Sequence, residues 1–107
     1  SSFARLPSVE PTPQDLNEVV ADGVALFREG HSEIDFGVSF DPALPQIDLD
    51  RDAIKRAVVN MLDNAVAACQ AAPERAARIE VSTRYDPEAA VVRLEIADNG
   101  IGMNAST

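Results

Sequence analysis

Residues 50–72 read DRDAIKRAVVNMLDNAVAACQAA, and this stretch decides the fold class because its apolar side chains recur at helical spacing. We predict one helix from about Asp50 to Ala72, ended by Pro73, which cannot continue it. The core-facing stripe of this helix comprises Ile54, Val58, Met61, Leu62, Ala65 and Cys69.

A second flank of the same helix carries only alanines and two asparagines, Asn60 and Asn64, which stand one turn apart. Small side chains leave room for a ligand, and amide oxygens suit a Mg²⁺ ion that already carries triphosphate oxygens and water. The alternative, which the helix alone favours, is that the alanines are helix formers and the asparagines merely border the core. The alanines of this flank are Ala53, Ala57, Ala67, Ala68 and Ala71.

The segments around this helix predict a second helix and several strands. Apolar residues at helical spacing follow Asp15, and alternating apolar residues indicate strands before and after the long helix. The order predicts an α/β (α+β) fold, a two-layer sandwich whose mixed sheet is covered by helices on one face. The predicted elements are a helix from Asp15 to Phe27, strands at 34–40, 78–85 and 91–98, and a short extended piece around Ile47.

The last predicted strand runs into the sequence DNGIGM at residues 98–103. Asp98 has the same parity as the apolar residues of that strand and therefore points towards the core, where a carboxylate is costly without a partner. The exocyclic amine of a purine would be such a partner. Gly100 and Gly102 would permit positive φ and a close backbone approach to a ligand. The alternative is an ordinary turn that ends a strand.

Composition excludes several classes of partner and site. Nine Lys and Arg against 18 Asp and Glu give a net charge of −9, so we predict no nucleic-acid partner. The single cysteine, Cys69, rules out an intrachain disulfide and lies on the core stripe, which favours a small buried hydrophobe. No apolar run in the sequence approaches the length of a membrane-spanning helix.

Two segments separated by two strands resemble the N box and first glycine box of the sensor histidine kinases. They are Asn60-Met61-Leu62-Asp63-Asn64-Ala65 and Asp98-Asn99-Gly100-Ile101-Gly102. These kinases belong to a superfamily that includes gyrase, Hsp90 and MutL. Upstream, residues 3–7 and 15–20 are similar to the approach segment of nitrogen-regulation sensor kinases. The resemblance implies the ATP-binding α/β sandwich of that superfamily.

The resemblance also implies roles for individual residues. Asn64 would be the Mg²⁺ ligand and Asn60 a polar neighbour of the ATP phosphates. Asp98 would accept a hydrogen bond from the adenine amine, while Gly100 and Gly102 would form the floor of the site and the hinge of the ATP lid. Ala67 stands where many histidine kinases carry a phosphate-facing Lys or Arg.

Residue 60 distinguishes a kinase from a hydrolase within this superfamily. The ATP-hydrolysing members place a Glu one turn before the Mg²⁺ asparagine, as the base for water. Asn60 occupies that position here, and an amide cannot take a proton. The sequence therefore favours phosphoryl transfer over the alternative of an ATPase of the same superfamily.

For domain organisation, we expect residues 1–14 to be a linker from an upstream dimerisation hairpin and 15–107 a partial ATP-binding catalytic domain. The resemblance implies that the chain belongs to the cytoplasmic portion of a membrane-anchored, homodimeric sensor. In such a sensor the phosphoacceptor histidine lies on a separate helical domain, and the phosphoryl group then passes to a response regulator. His31, in a turn, is not expected to be that histidine. We expect no catalytic residue in this chain.

The chain ends at Thr107, soon after the first glycine box. The resemblance places the lid, the second glycine box and the remaining sheet beyond this point, so we expect the C-terminal part of the fold to be missing and ATP to bind weakly or not at all. The remaining alternative is a truncated domain that does not bind nucleotide and self-associates through an uncovered sheet edge.

Overall fold

A computed structural model of the chain describes residues 12–100. Within them lie two helices and five strands, in the order predicted apart from one additional strand. The elements are β1 (Thr12–Gln14), α1 (Leu16–Gly30), β2 (Asp35–Ser39), β3 (Ile47–Leu49), α2 (Arg51–Gln70), β4 (Arg78–Asp86) and β5 (Val91–Asp98).

The strands form two sheets. The larger has the order β2-β4-β5, with β2 parallel to β4 and β4 antiparallel to β5, so the sheet is mixed as predicted. The smaller is the antiparallel pair β1 and β3, in which Pro13 lies opposite Asp48. β1 is the additional strand: its residues showed no alternating pattern and were expected to belong to a linker. The domain boundary at residue 14 stays a prediction.

Both helices pack on one face of the larger sheet. The fully buried side chains come from both layers, including Val20 of α1, Leu62 of α2 and Val81 of β4. The other face of the sheet carries charged residues, among them Arg78, which is ion-paired with Asp35 and Glu80. The two-layer sandwich with one covered face is therefore confirmed.

The two helices approach each other closely at Gly23 of α1. A Cβ atom at this position would lie 3.0 Å from Cγ1 of Val58 in α2, so the missing side chain permits the contact. Asp15 immediately precedes α1, and its backbone oxygen accepts from the N–H groups of Glu18 (3.1 Å) and Val19 (3.3 Å), while its side chain makes no capping hydrogen bond.

Two apolar residues are exposed although their spacing favoured burial, namely Met61 of the predicted core stripe and Val38, one of the alternating apolar residues of the strand predicted at 34–40. Met61 is 37% exposed because it borders the stripe, about 100° around the helix from the buried Leu62. Val38 is 42% exposed and lies on β2, which has a neighbouring strand on one side only within residues 12–100. Val66, which was not assigned to the stripe, is buried.

The loop after β2 is fixed to the sheet by a network of polar side chains. The Thr83 hydroxyl donates to Oδ1 of Asn17 (2.6 Å) and accepts from the Asp41 N–H (3.0 Å). The Asp41 carboxylate accepts from the N–H groups of Tyr85 (2.8 Å) and Ala43 (2.9 Å). These two backbone hydrogen bonds, with that of Tyr85 the stronger influence, lower the pKa of Asp41 from its ordinary value of 3.8.

Neither helix within residues 12–100 combines the length and the apolar character needed to cross a bilayer.

Candidate functional site

The asparagine flank of α2 faces away from the core. Its helix begins at Asp50, whose carboxylate oxygen Oδ1 accepts from the N–H groups of Asp52 (3.1 Å) and Ala53 (3.3 Å) and so fixes the first turn. The buried residues of the opposite flank, Val58 and Leu62, set the rotation of the helix. Asn60 and Asn64 are consequently exposed, one turn apart, with amide groups accessible to a ligand.

Asp98 is the last residue of β5 and is half-buried, on the same face of the strand as Ile96. Its carboxylate oxygen Oδ1 accepts a hydrogen bond from the Gly100 N–H at 2.8 Å. This bond partly offsets the cost of withdrawing the carboxylate from water. The expected inward direction of Asp98 is supported by the strand register, because Asp98 lies opposite the fully buried Ile79 of β4.

Cys69 is buried against the strand end. Burial raises the pKa of its thiol above the ordinary value of 9.0, and the negative charge of Asp98 raises it further. Its Sγ lies 3.9 Å from Oδ1 of Asn99, the distance of a weak S–H hydrogen bond. Cys69 is therefore a neutral packing residue between the helix and the glycine box, as the sequence indicated.

Gly100 connects the two motifs. A Cβ atom at residue 100 would lie 2.4 Å from both the carbonyl carbon and the carbonyl oxygen of Ala68 in α2. Ala68 stands one turn after Asn64 on the same flank of α2. The structure thus brings the asparagine flank and the glycine box to one place. The close approach made by Gly100 is to a helix backbone, and its φ is not in the left-handed region.

Two residues that the sequence did not single out fix the glycine box to the loop after α2: Asn99, within the box, and Arg75, in the loop. The side chain of Asn99 accepts from the Arg78 N–H (2.9 Å) and donates to the Ala76 oxygen (2.9 Å). Arg75 Nη1 donates to the backbone oxygens of Asn99 (2.9 Å) and Gly100 (3.0 Å). No pattern in the sequence marks either contact, because each joins residues more than 20 positions apart through an irregular loop.

His31 follows the end of α1, as expected for a turn residue. Its ring stacks on Phe27 with a centroid distance of 6.0 Å, and its Nδ1 lies 3.4 Å from a carboxylate oxygen of Glu33. Gly102, the remaining predicted site residue, lies outside the described residues. Among residues 12–100, no three His, Cys, Asp or Glu side chains are grouped so as to hold a metal ion.

Residues 49–107 match the model of one protein family, described as histidine kinase-, DNA gyrase B-, and HSP90-like ATPase. The chain is 38% identical over 106 residues to the nitrogen regulation protein NtrY of Azorhizobium caulinodans, covering 96% of this chain but 13% of that relative. The chain therefore spans a small part of the length of this curated relative.

Solved structures of histidine kinases have the same fold. The mycobacterial sensor histidine kinase MprB is 27% identical with a TM-score of 0.68, over 90% of this chain and 60% of that chain. The catalytic domain of the histidine kinase ThkA is 24% identical with a TM-score of 0.72, over 92% of this chain and 64% of that chain. ThkA has also been solved in complex with a response regulator protein, TrrA. In that structure ThkA is 23% identical to this chain with a TM-score of 0.72, over 90% of this chain and 28% of that chain.

Proposed function

Because the chain belongs to the histidine kinase-, DNA gyrase B- and HSP90-like ATPase family, whose domain binds ATP, we propose that it forms the ATP-binding part of a protein-histidine kinase of a two-component system. The observation that carries this proposal is the contact between Gly100 and Ala68, which joins the glycine box to the asparagine flank of α2. The adenine acceptor Asp98, the Mg²⁺ ligand Asn64 and the polar neighbour of the phosphates, Asn60, then belong to one site.

Each candidate residue has a chemical role in this proposal. The Asp98 carboxylate accepts a hydrogen bond from the exocyclic amine of adenine, in addition to the one from the Gly100 N–H. Asn60 lies beside the phosphates, on the exposed flank of α2. Gly100 and Gly102 form the floor of the site and the hinge of the lid.

The donor set suits a Mg²⁺ ion that arrives with the nucleotide. Asn64 offers a neutral amide oxygen on an exposed helix face, and Mg²⁺ usually keeps several waters and takes few protein ligands beside substrate phosphates. Asn64 would hold the ion, which would neutralise charge on the phosphate oxygens. The residues of the chain bind and orient the nucleotide, as phosphoryl transfer is catalysed mainly by positioning and electrostatics.

Residue 60 favours a kinase over an ATPase. Water attack in a hydrolase requires a general base, and the Asn60 amide cannot accept a proton from water at neutral pH. The nucleophile would instead be a histidine on a separate helical domain of the same protein. Steady ATP hydrolysis that disappeared in Asn60→Ala would favour the ATPase alternative.

The partners proposed for the whole protein are the helical phosphoacceptor domain, a second copy in a homodimer, and a response regulator. The complex of ThkA with TrrA supports the last of these, since ThkA has the same fold as this chain. We place the chain in the cytoplasmic portion of a membrane-anchored sensor, and no nucleic acid is proposed as a partner, because the net charge is −9.

A calorimetric titration of the chain with ADP, with and without Mg²⁺, tests the proposal. We expect weak but saturable binding that strengthens with Mg²⁺. Replacing Asp98 with Asn removes a charged acceptor, which typically costs about 1.5–3 kcal/mol, or roughly a ten- to a hundred-fold loss of ADP affinity. The matched control is Asp48→Asn, which changes an exposed acid in β3 and should leave ADP affinity unchanged.

Two results would contradict the proposal. Unchanged ADP affinity in Asp98→Asn would remove Asp98 from the site. A folded chain that binds no ADP and forms concentration-dependent oligomers in size exclusion would favour the self-associating alternative. Within residues 12–100, β5 has a neighbouring strand on one side only, and with Val91 exposed at its start it offers the surface for such pairing.

A further inference from the structure

The loop between α2 and β4 is bonded to the end of β5 by Arg75 and Asn99. Arg75 lies in this loop and donates from Nη1 to two successive backbone oxygens, of Asn99 at 2.9 Å and Gly100 at 3.0 Å. A guanidinium donor makes these charge-assisted hydrogen bonds stronger than those between neutral groups. Asn99 holds the same loop from the opposite side, through its hydrogen bonds to the backbone of Ala76 and Arg78.

One peptide unit is thereby held at both ends. The peptide between Asn99 and Gly100 contributes its carbonyl oxygen to Arg75 and its N–H group to the Asp98 carboxylate, at 2.8 Å. A planar peptide cannot rotate its carbonyl without rotating its N–H group. A rotation that turned the carbonyl away from Arg75 would therefore also turn the Gly100 N–H away from the Asp98 carboxylate.

The helix on the other side restricts the same peptide. The Gly100 Cα lies against the backbone of Ala68, so residue 100 cannot move towards α2. Movement away from α2 is opposed by Arg75, whose own backbone is fixed by a hydrogen bond from its N–H to the Ala72 oxygen at 3.0 Å. The orientation of the Asp98 carboxylate thus depends on an arginine in a different segment of the chain.

We propose that Arg75 is a positioning residue that orients the Asp98 carboxylate for the adenine amine. This inference rests on the proposed role of Asp98 in nucleotide binding. Arg75 is exposed and contributes no apolar side chain to the core, so its removal leaves the packing of the sandwich intact. Its effect is confined to the peptide after Asp98 and to the recognition of the base.

Amide hydrogen exchange of Gly100, measured by NMR on the 107-residue chain, tests the positioning directly. In Arg75→Ala we expect the Gly100 amide to exchange about tenfold faster, because its hydrogen bond to Asp98 opens more often. The amides of Val81 and Ile96 in the sheet should be unchanged, and Arg75→Lys should restore part of the protection. The control, Arg56→Ala, removes another exposed arginine and should leave Gly100 unchanged.

Two exchange results would overturn the proposal. Unchanged exchange of Gly100 in Arg75→Ala would show that Arg75 does not hold this peptide. A similar acceleration of the Val81 and Ile96 amides would show that Arg75 supports the whole fold, with no particular effect on Asp98.

Selectivity between ADP and inosine diphosphate, which lacks the exocyclic amine, tests the consequence for base recognition. We expect the wild-type chain to bind ADP more tightly than inosine diphosphate. In Arg75→Ala the affinity for ADP should fall about tenfold, while the affinity for inosine diphosphate should be unchanged. An equal loss for both nucleotides would overturn the role of Arg75 in base recognition. A wild-type chain without any preference would refute the role of Asp98 itself, while Gly100 exchange would still decide whether Arg75 holds the peptide.

Discussion

Gly100 lies so close to Ala68 that any side chain at residue 100 would overlap the backbone of α2, with a Cβ atom 2.4 Å from the Ala68 carbonyl group. The glycine box therefore has a packing requirement within the protein itself, independent of any ligand. This contact is one of those that hold the end of β5 against the helix that presents the asparagines, together with the contact of Cys69 Sγ with Asn99 Oδ1.

Replacing Gly100 with Ala should destabilise the chain by about 1–3 kcal/mol, since the added methyl group can be accommodated only by moving backbone. Urea unfolding followed by circular dichroism measures this change. The strand end would also be displaced from α2, so we expect weaker ADP binding in the same variant.

The chain provides a matched control at Gly30, the last residue of α1. No atom lies within 4 Å of a Cβ built there, so Gly30→Ala should leave the free energy of unfolding unchanged or raise it by up to about 1 kcal/mol. Similar unfolding midpoints for the two variants would show that the contact with Ala68 does not constrain the glycine box.

A second prediction concerns acid unfolding and Asp41. Because hydrogen bonds from Tyr85 and Ala43 lower the pKa of Asp41 below 3.8 in the folded chain, the unfolded chain binds this proton more readily. The contribution of ionised Asp41 to the free energy of unfolding is therefore fully present above pH 3.8, and it is lost as the pH falls through the lower pKa that Asp41 has in the folded chain. Urea unfolding at a series of pH values from neutral to acidic measures this loss.

In Asp41→Asn, we expect lower stability at neutral pH and a smaller further loss on acidification. An amide offers one acceptor oxygen, whereas the carboxylate uses Oδ1 for the Ala43 N–H and Oδ2 for the Tyr85 N–H. Asp48→Asn, in the exposed part of β3, should keep the wild-type pH dependence. The same pH dependence in Asp41→Asn as in the wild type would exclude Asp41 as its source.

Periodicity was sufficient to predict both helices and the three strands of the larger sheet, because burial on one face imposes a repeat that can be recognised in the sequence. The apolar spacing of α2 placed Val58 and Leu62 in the core, and the parity of β5 placed Asp98 on the inner face. It failed where a residue lies at the border of a packed surface, as with Met61 and Val38. Whether such a residue is buried depends on the neighbours that the tertiary structure places beside it.

The contacts that organise the candidate site are not periodic and could not be predicted in this way. Arg75 reaches Asn99 and Gly100 across 24 and 25 residues, through a loop whose path depends on the tertiary structure. Likewise, the sequence suggested a positive φ and a close approach to a ligand as the reasons for glycine at residue 100. The structure shows a helix backbone in contact with it, which no local pattern encodes.

The last prediction concerns the amide of Asn64. If Asn64 is the protein ligand of Mg²⁺, Asn64→Ala should abolish most of the gain in ADP affinity that Mg²⁺ produces, a change of about tenfold, while binding without Mg²⁺ is unaffected. Asn64→Asp keeps an oxygen ligand and should retain the gain. Gln70→Ala removes another exposed amide of α2 and serves as the control in the same titration. Because Asn64 and Gln70 are exposed, none of these changes should unfold the chain. If Mg²⁺ still raised the ADP affinity of Asn64→Ala as much as that of the wild type, Asn64 would be excluded as the ligand.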